Sequence, residues 1–338
     1  MKSERSYQKI SSFLEKKKYK ELNLNSVIDI KYIRDEKLKK FIFTFRDNKK
    51  NKTFALRPDL SLMSLIEFSK QNINKKSRIY YSGEVYRKNQ KINSQVGFEI
   101  YNSDNISDET EIIKNSAKIF EKQITKKGNI NISNVKLFEA VIKQLRLPER
   151  WKSRIIYLRN NKKYLNEVLK LLETNKDLDS KNIELDKKLY ENMKKLNPNE
   201  IIANRKVKDI LQRFEQKIYI QPRPANGKKI VKIIKNFLKI ECPINNAPEV
   251  LNKFFKNNEL NIQVSKDFFP LKKNKMGSLN VMFKSYELPE VEIYDGLIFS
   301  IKSKKSNQSI VGGRFDSLSK SLGLKKINAI GAAFNFNT

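Results

Sequence analysis

The sequence predicts an α+β protein, with strand-like alternation towards both ends of the chain and a long helical stretch between them. Three observations carry this. Residues 94–101 (SQVGFEIY) alternate: Val96, Phe98 and Ile100 fall on one side, and Gln95, Gly97, Glu99 and Tyr101 on the other, the period of a strand with one buried face. From about 130 to 260 the apolar period is helical, with Leu165, Val168, Leu169 and Leu172 as one stripe and Ile230, Ile233, Ile234 and Phe237 as another. From about 262 the strand period returns. Residues 1–130 and 262–338 are therefore expected to be two parts of one core, split by a helical insertion at 131–261.

The elements follow in order. Tyr7, Ile10, Phe13 and Leu14 recur at helical spacing, so the chain opens on an amphipathic helix. That segment lacks the unbroken apolar stretch of a signal peptide, and no run in the chain approaches membrane-spanning length. A cytoplasmic protein with no membrane partner is expected. FIFTFRD into KTFAL reads as a hairpin turning near Asp47-Asn48-Lys49. Leu60 to Phe68 is helical after the turn at Pro58. Ser107 and Asp108 offer caps to a helix running through Phe120, with Glu111 placed three residues after Asp108 as in a capping box. QPRPANG at 221–227 breaks two helices apart. In EIYDGLIF, alternation sets Glu292, Tyr294 and Gly296 on one strand face. Gly312-Gly313 suggests a tight turn, with Arg314 in a structural ion pair.

Composition removes whole classes of chemistry. The 338 residues include no histidine, so His-based triads and His metal sites are excluded. Cys242 is the lone thiol, which leaves no zinc site and no disulfide within the chain. Lys and Arg number 70 against 37 acidic residues, a formal charge of +33. The excess is spread over the whole chain as lysine, among many asparagines and isoleucines, as AT-rich coding would produce. Nucleic-acid sites concentrate arginine and aromatic residues in one patch, so a nucleic-acid partner is not expected. A local role for the positive field remains, in drawing an acidic partner subunit or phosphorylated substrates.

Five residues are candidates for a ligand site: Asp59, Arg87, Gln95, Glu99 and Tyr294. Taken singly, Asp59 caps a helix, Arg87 ends a strand at the surface, Gln95 and Glu99 face water on an open sheet, and Tyr294 fills a core. Taken together, an amide and a carboxylate separated by Gly97, with Arg87 beside them, form the floor of a pocket. Arg57 is expected to pair with structural carboxylates, and Cys242 to be inert.

LRPDLS at 56–61, EVYR at 84–87 with QVGFEIY at 95–101, EIYDGLIF, IVGGRFDSL and AIGAAF stand in this order along the chain. The ordered set resembles the catalytic core of class II aminoacyl-tRNA synthetases, specifically histidyl-tRNA synthetases and their paralogues. That resemblance implies an antiparallel sheet flanked by helices. It also implies a pocket for free L-histidine: Asp59 and Gln95 on the α-ammonium, Arg87 on the α-carboxylate, Glu99 and Tyr294 on the imidazole. Phe315 replaces a tyrosine of the family and loses a hydroxyl, and Asp295 replaces a threonine and adds a negative charge beside the ring. Both changes weaken or alter the expected histidine binding.

Other departures bear on catalysis. Pro289 stands near the place of an adenylating arginine, Ala329 to Thr338 lacks the Gly-x-x-Arg that clamps ATP, and only Lys88 to Ser94 separate Arg87 from Gln95. Lys88-Asn89 replaces a glutamate, and no anticodon-binding domain is expected. Phosphoryl chemistry is mostly positioned charge, and most of that charge is missing. LFEAVIKQLRLPERWKSRI, NRKVKDILQRFEQ and KKIVKIIKNFLKI resemble the helical insertion of the alphaproteobacterial regulatory subunits of ATP phosphoribosyltransferase. The resemblance thus implies no catalytic residue, cofactor or metal. It implies a short-form ATP phosphoribosyltransferase catalytic subunit as partner, L-histidine as effector, and dimers within a hetero-oligomer. The alternative is a minimal or degenerate histidyl-tRNA synthetase, or a tRNA-binding pseudo-synthetase.

Overall fold

The computed structural model describes residues 2–33, 39, 41–49, 51–71, 73–88, 91–174, 183–202, 205–218, 226–286, 293–304 and 306–336. Its elements are, in order, α1 (Lys2–Lys16), β1 (Lys20–Glu21), β2 (Val27–Asp29), β3 (Thr44–Asp47), β4 (Lys52–Leu56), α2 (Leu60–Lys70), β5 (Ser77–Val85), β6 (Asn93–Tyr101), α3 (Ile106–Gln123) and β7 (Asn129–Asn134). Then come α4 (Val135–Gln144), α5 (Glu149–Tyr157), α6 (Lys162–Glu173), α7 (Ile183–Met193), β8 (Ile201–Ile202), β9 (Arg205–Lys206), α8 (Val207–Ile218) and α9 (Gly227–Leu238). β10 (Glu241–Pro243), α10 (Ala247–Asn257), β11 (Lys275–Met276), β12 (Leu279–Lys284), β13 (Leu297–Ser303), β14 (Ser306–Arg314), α11 (Leu318–Ser321) and β15 (Ala329–Asn335) complete the chain. No helix among the described residues is long and apolar enough to cross a membrane.

The chain divides into two compact units, one of residues 1–138, 238–257 and 262–338, the other of 139–237 and 258–261. The first holds a ten-stranded mixed sheet in the order β1-β5-β6-β15-β14-β13-β7-β12-β10, with β11 on β12. Only β1/β5 and β7/β12 run parallel. An antiparallel strand pair with one apolar face needs a cover on that face, and Tyr19, after α1, supplies part of it by meeting Phe98 edge-on at 5.9 Å. Val96, Phe98 and Ile100 are fully buried there, each burial stabilising by roughly 1.5–3 kcal/mol. A separate three-stranded sheet, β2-β4-β3, contains the hairpin expected from FIFTFRD and KTFAL. In the second unit Leu165, Val168, Leu169 and Leu172 of α6 are buried, as are Ile230, Ile233, Ile234 and Phe237 of α9.

Four local expectations change. The cap of α3 is Asn105, whose Oδ1 accepts from the Asp108 N–H at 3.2 Å, so the helix starts before Ser107. Glu111 is drawn away from any capping role by Arg78. Gly312 and Gly313 lie inside β14 rather than in a turn. A Cβ at Gly312 would sit 2.4 Å from the Gly331 carbonyl oxygen, so these glycines serve close approach. Tyr294 precedes β13 and is not in a strand, so the alternation read into EIYDGLIF begins only at Leu297. Glu292, Pro289 and most of QPRPANG lie outside the described residues.

Candidate functional site

The site is built on the face of β6 that carries Gln95, Gly97, Glu99 and Tyr101. Glu99 is 1% exposed, and its carboxylate accepts from the Tyr81 hydroxyl at 2.6 Å and from the Tyr101 hydroxyl. Two hydroxyls of α2 stand behind the tyrosines: Ser61 Oγ is 3.0 Å from the Tyr81 hydroxyl and Ser64 Oγ is 2.9 Å from that of Tyr101. The spacing of those serines puts both on one side of α2. Phe68, one turn further, stacks on the Tyr101 ring at 4.5 Å. Burial without a cation pushes the Glu99 carboxyl up to about 7, although the tyrosine and serine hydroxyls pull it back towards the ordinary range. Burial and the Glu99 charge push both tyrosine hydroxyls well above their ordinary range.

Sequence alternation identifies Tyr101 as a neighbour of Glu99 but misses Tyr81. Antiparallel pairing sets Tyr81 directly opposite Gly97. A Cβ at Gly97 would lie 2.4 Å from the Tyr81 ring, so the space that the glycine leaves is taken by that ring. Two further glycines of the sheet are covered in the same way. Glu99, Gly331 and Gly313 form a cross-strand row, with the Glu99 side chain leaning over Gly331 and the Tyr294 ring over Gly313. Tyr294 and Glu99 thus cover paired glycines on adjacent strands of the same strip of sheet. Burial, then the charges of Asp59 and Glu99, push the Tyr294 hydroxyl upward.

At the other end, Asp59 caps α2, its Oδ1 accepting from the Leu62 N–H at 3.0 Å, while Oδ2 accepts from Arg87 Nη2 at 3.4 Å. Arg87 also donates from Nε to the Pro58 carbonyl at 2.7 Å. The cap and ligand readings of Asp59 therefore use different oxygens of one carboxylate. Gln95 lies four residues along β6 from Glu99, paired with Gly83 on one side and Asn335 on the other. Asp59 meets Arg87, and Asp59 and Glu99 both act on the Tyr294 hydroxyl, so these four are brought together while Gln95 stands apart from them along the strand.

Neighbouring residues take structural roles. Arg57 donates to the Glu84 and Leu24 carbonyl oxygens at 2.6 and 2.9 Å, main-chain partners in place of the expected carboxylates. Arg314 is held by Glu109 at 2.8 Å and Asp316 at 3.2 Å. The Asp295 carboxylate accepts from the Asp316 and Ser317 N–H groups, so its charge is spent on the turn after β14. Phe315 is buried and meets the Tyr294 ring edge-on at 6.4 Å, positioning that ring without a hydroxyl. Cys242 is buried, and burial raises its thiol. Among the described residues no cluster of three or more metal-ligating side chains occurs.

A family model described as histidyl-tRNA synthetase matches residues 4–231, more than half of the chain. The ATP phosphoribosyltransferase regulatory subunit of Sinorhizobium fredii is 22% identical, with 82% of this chain and 80% of that protein covered. That of Allorhizobium ampelinum is 24% identical, with 88% and 85% covered. Among solved structures, a chain of an ATP phosphoribosyl transferase complex from Thermotoga maritima aligns with a TM-score of 0.53 at 14% identity, covering 99% of this chain and 97% of that one. The histidyl-tRNA synthetase of Nostoc sp. PCC 7120 aligns with a TM-score of 0.61 at 11% identity, covering 98% and 68%. At these identities the structural likeness shows the fold: an α+β core with a central mixed sheet flanked by helices, as in class II synthetases.

Proposed function

The chain belongs to the histidyl-tRNA synthetase family, and from that premise we propose that it is a noncatalytic regulatory subunit of ATP phosphoribosyltransferase. It activates a short-form catalytic subunit and conveys histidine feedback at the first step of histidine synthesis. The observation that carries this reading is the commitment of the motif arginines. Arg57 is tied to main-chain carbonyls, Arg87 to Pro58 and Asp59, and Arg314 to Glu109 and Asp316. Arg57 and Arg314 are thereby withdrawn from triphosphate binding, while the Asp59–Arg87 pair keeps one charge of each sign for an amino acid's α-groups. The regulatory subunits among its relatives support the same reading.

L-histidine is the effector in this proposal. Its α-ammonium and α-carboxylate replace the Asp59–Arg87 pair with two ligand ion pairs, Gln95 assists at the ammonium, and Glu99 with Tyr294 takes the imidazole. Burial lifts the Glu99 carboxyl to about 7, and an imidazole held against it would titrate together with it as a coupled pair. Feedback requires histidine to bind active and inhibited states with unequal affinity. Self-association as a dimer has a candidate surface in Phe41, Phe43 and Phe45, each 45–46% exposed and spaced two residues apart beside β4. In the cytoplasm the domain layout expected from sequence, a synthetase-like core around a helical insertion, would dock the catalytic subunit.

Turnover of ATP and phosphoribosyl pyrophosphate by the short-form catalytic subunit, alone and mixed with this chain, tests the proposal. A strong rise in the mixture, suppressed by histidine, is expected. An unchanged rate in the mixture overturns it, and tRNA charging by the chain alone would favour the degenerate-synthetase alternative.

A further inference from the structure

A cavity of about 840 Å³ lies behind the sheet, on the face opposite Glu99. It is lined by Lys17 and Lys18 after α1, by Arg78 of β5, by Lys114 and Lys118 of α3, and by the segment around Phe269. The carboxylates at this cavity are occupied from within. Glu111 accepts from Arg78 Nε and Nη2 at 2.8 and 2.7 Å and from the Tyr19 hydroxyl at 3.1 Å, and Asp267 is paired with Lys272. The nearby acids Glu15 and Glu121 are also engaged: Glu15 accepts from the Tyr80 hydroxyl and Glu121 from the Ser278 N–H, each at 2.7 Å.

Lys17, Lys18, Lys114 and Lys118 have no salt bridge among the described residues. What sets these four apart is that they line one cavity together with Arg78. Lys114 and Lys118 stand one helical turn apart, a like-charge spacing that is unfavourable unless a counter-charge sits between them. Lys18 is held at φ +64°, in the left-handed region, which fixes the turn that brings it to the rim. Ile106, Phe269 and Pro270 form an apolar part of the wall, beside the polar Ser107, Thr110 and Asn115.

We propose that this cavity binds a small molecule carrying two or more phosphate groups. The four lysines meet the phosphates and the apolar wall holds the remainder of the molecule. The volume lies in the range of small-molecule sites, about 300–1,000 Å³. Phe269 is buried, so its ring offers no open stacking platform of the kind single-stranded nucleic acids use.

Isothermal titration of the full chain with inorganic triphosphate, at about 50 and 300 mM salt, tests the site. One binding event per chain is expected, weakened about tenfold by Lys114→Gln/Lys118→Gln through loss of two charge-assisted contacts. Removal of equal charge at the exposed Lys320 and Lys325, as Lys320→Gln/Lys325→Gln, should leave affinity within about twofold. Circular dichroism of both double variants confirms that they fold. Absence of binding, several weak events per chain, or equal weakening by the two double variants would overturn the proposal; the last outcome assigns the attraction to diffuse charge. Retained affinity in Lys114→Gln/Lys118→Gln overturns it as well.

Discussion

Glu99 and Glu111 both serve the strand pair β5–β6, one on each face, and they titrate in opposite directions. Glu99 faces hydroxyls only, and burial lifts its carboxyl to about 7. Burial acts in the same direction on Glu111, but the two hydrogen bonds from Arg78 outweigh it and hold that carboxyl below its ordinary range. The difference lies in the partner. A carboxylate with a fixed guanidinium is a clamp between sheet and helix; a carboxylate surrounded by hydroxyls alone still wants a cation or a charged donor. Glu99 therefore suits the ligand role proposed for it, and the back-face pair is architecture.

The largest effect should come from Glu99→Gln. A carboxyl whose folded pKa is raised from 4.5 to about 7 contributes stability that is complete below pH 4.5 and is lost as pH rises through 7, on the order of 3 kcal/mol. Urea unfolding from pH 5 to 8 should show this decline in the wild-type chain and a flatter profile in the variant. Parallel profiles would remove Glu99 as the titrating group. Histidine affinity should fall about tenfold to a hundredfold in the same variant, as expected for losing a hydrogen bond to a charged group.

Next in size is Gly97→Ala. Its added methyl meets the Tyr81 ring, so the ring must leave the Glu99 carboxylate or the strands must part. A loss of about 1–3 kcal/mol is expected from such overpacking, and equilibrium denaturation measures it. A neutral substitution would show that Tyr81 does not fill that space.

The smallest effect belongs to the back face. Arg78→Met should cost about 1 kcal/mol at neutral pH, since the pair is partly screened by solvent. Its sign is opposite to that at Glu99: the stability supplied by a depressed carboxyl is present above its unfolded pKa and lost as pH falls through the folded one. The penalty of Arg78→Met should thus vanish in acid, where Glu111 is protonated. A penalty that persists there would point to lost packing alone.

The parts of this comparison differ in how far the sequence discloses them. The hairpin β3–β4, helix α2 behind Asp59 and the buried stripes of α6 and α9 depend on local period and turn chemistry, and they stand where that chemistry puts them. Glu99 and Tyr101 share a face by simple alternation. Tyr81 could not be placed without the register that sets it opposite Gly97. Gly312 and Gly313 look like a turn in one dimension because the carbonyls they must approach, at Gly331 and Leu297, come from other strands. Arg57 shows the same limit: a main-chain acceptor such as the Leu24 carbonyl has no signature in sequence. Asn105 was available to a cap search, but Ser107 and Asp108 two and three residues later offer equally good side chains.

Histidine-dependent exchange of pyrophosphate into ATP by the purified chain is the most direct measurement of whether this pocket holds an amino acid without activating it. No exchange above background is expected at any histidine concentration. Sustained exchange would contradict it, because an adenylate cannot form unless some cation here does hold the triphosphate.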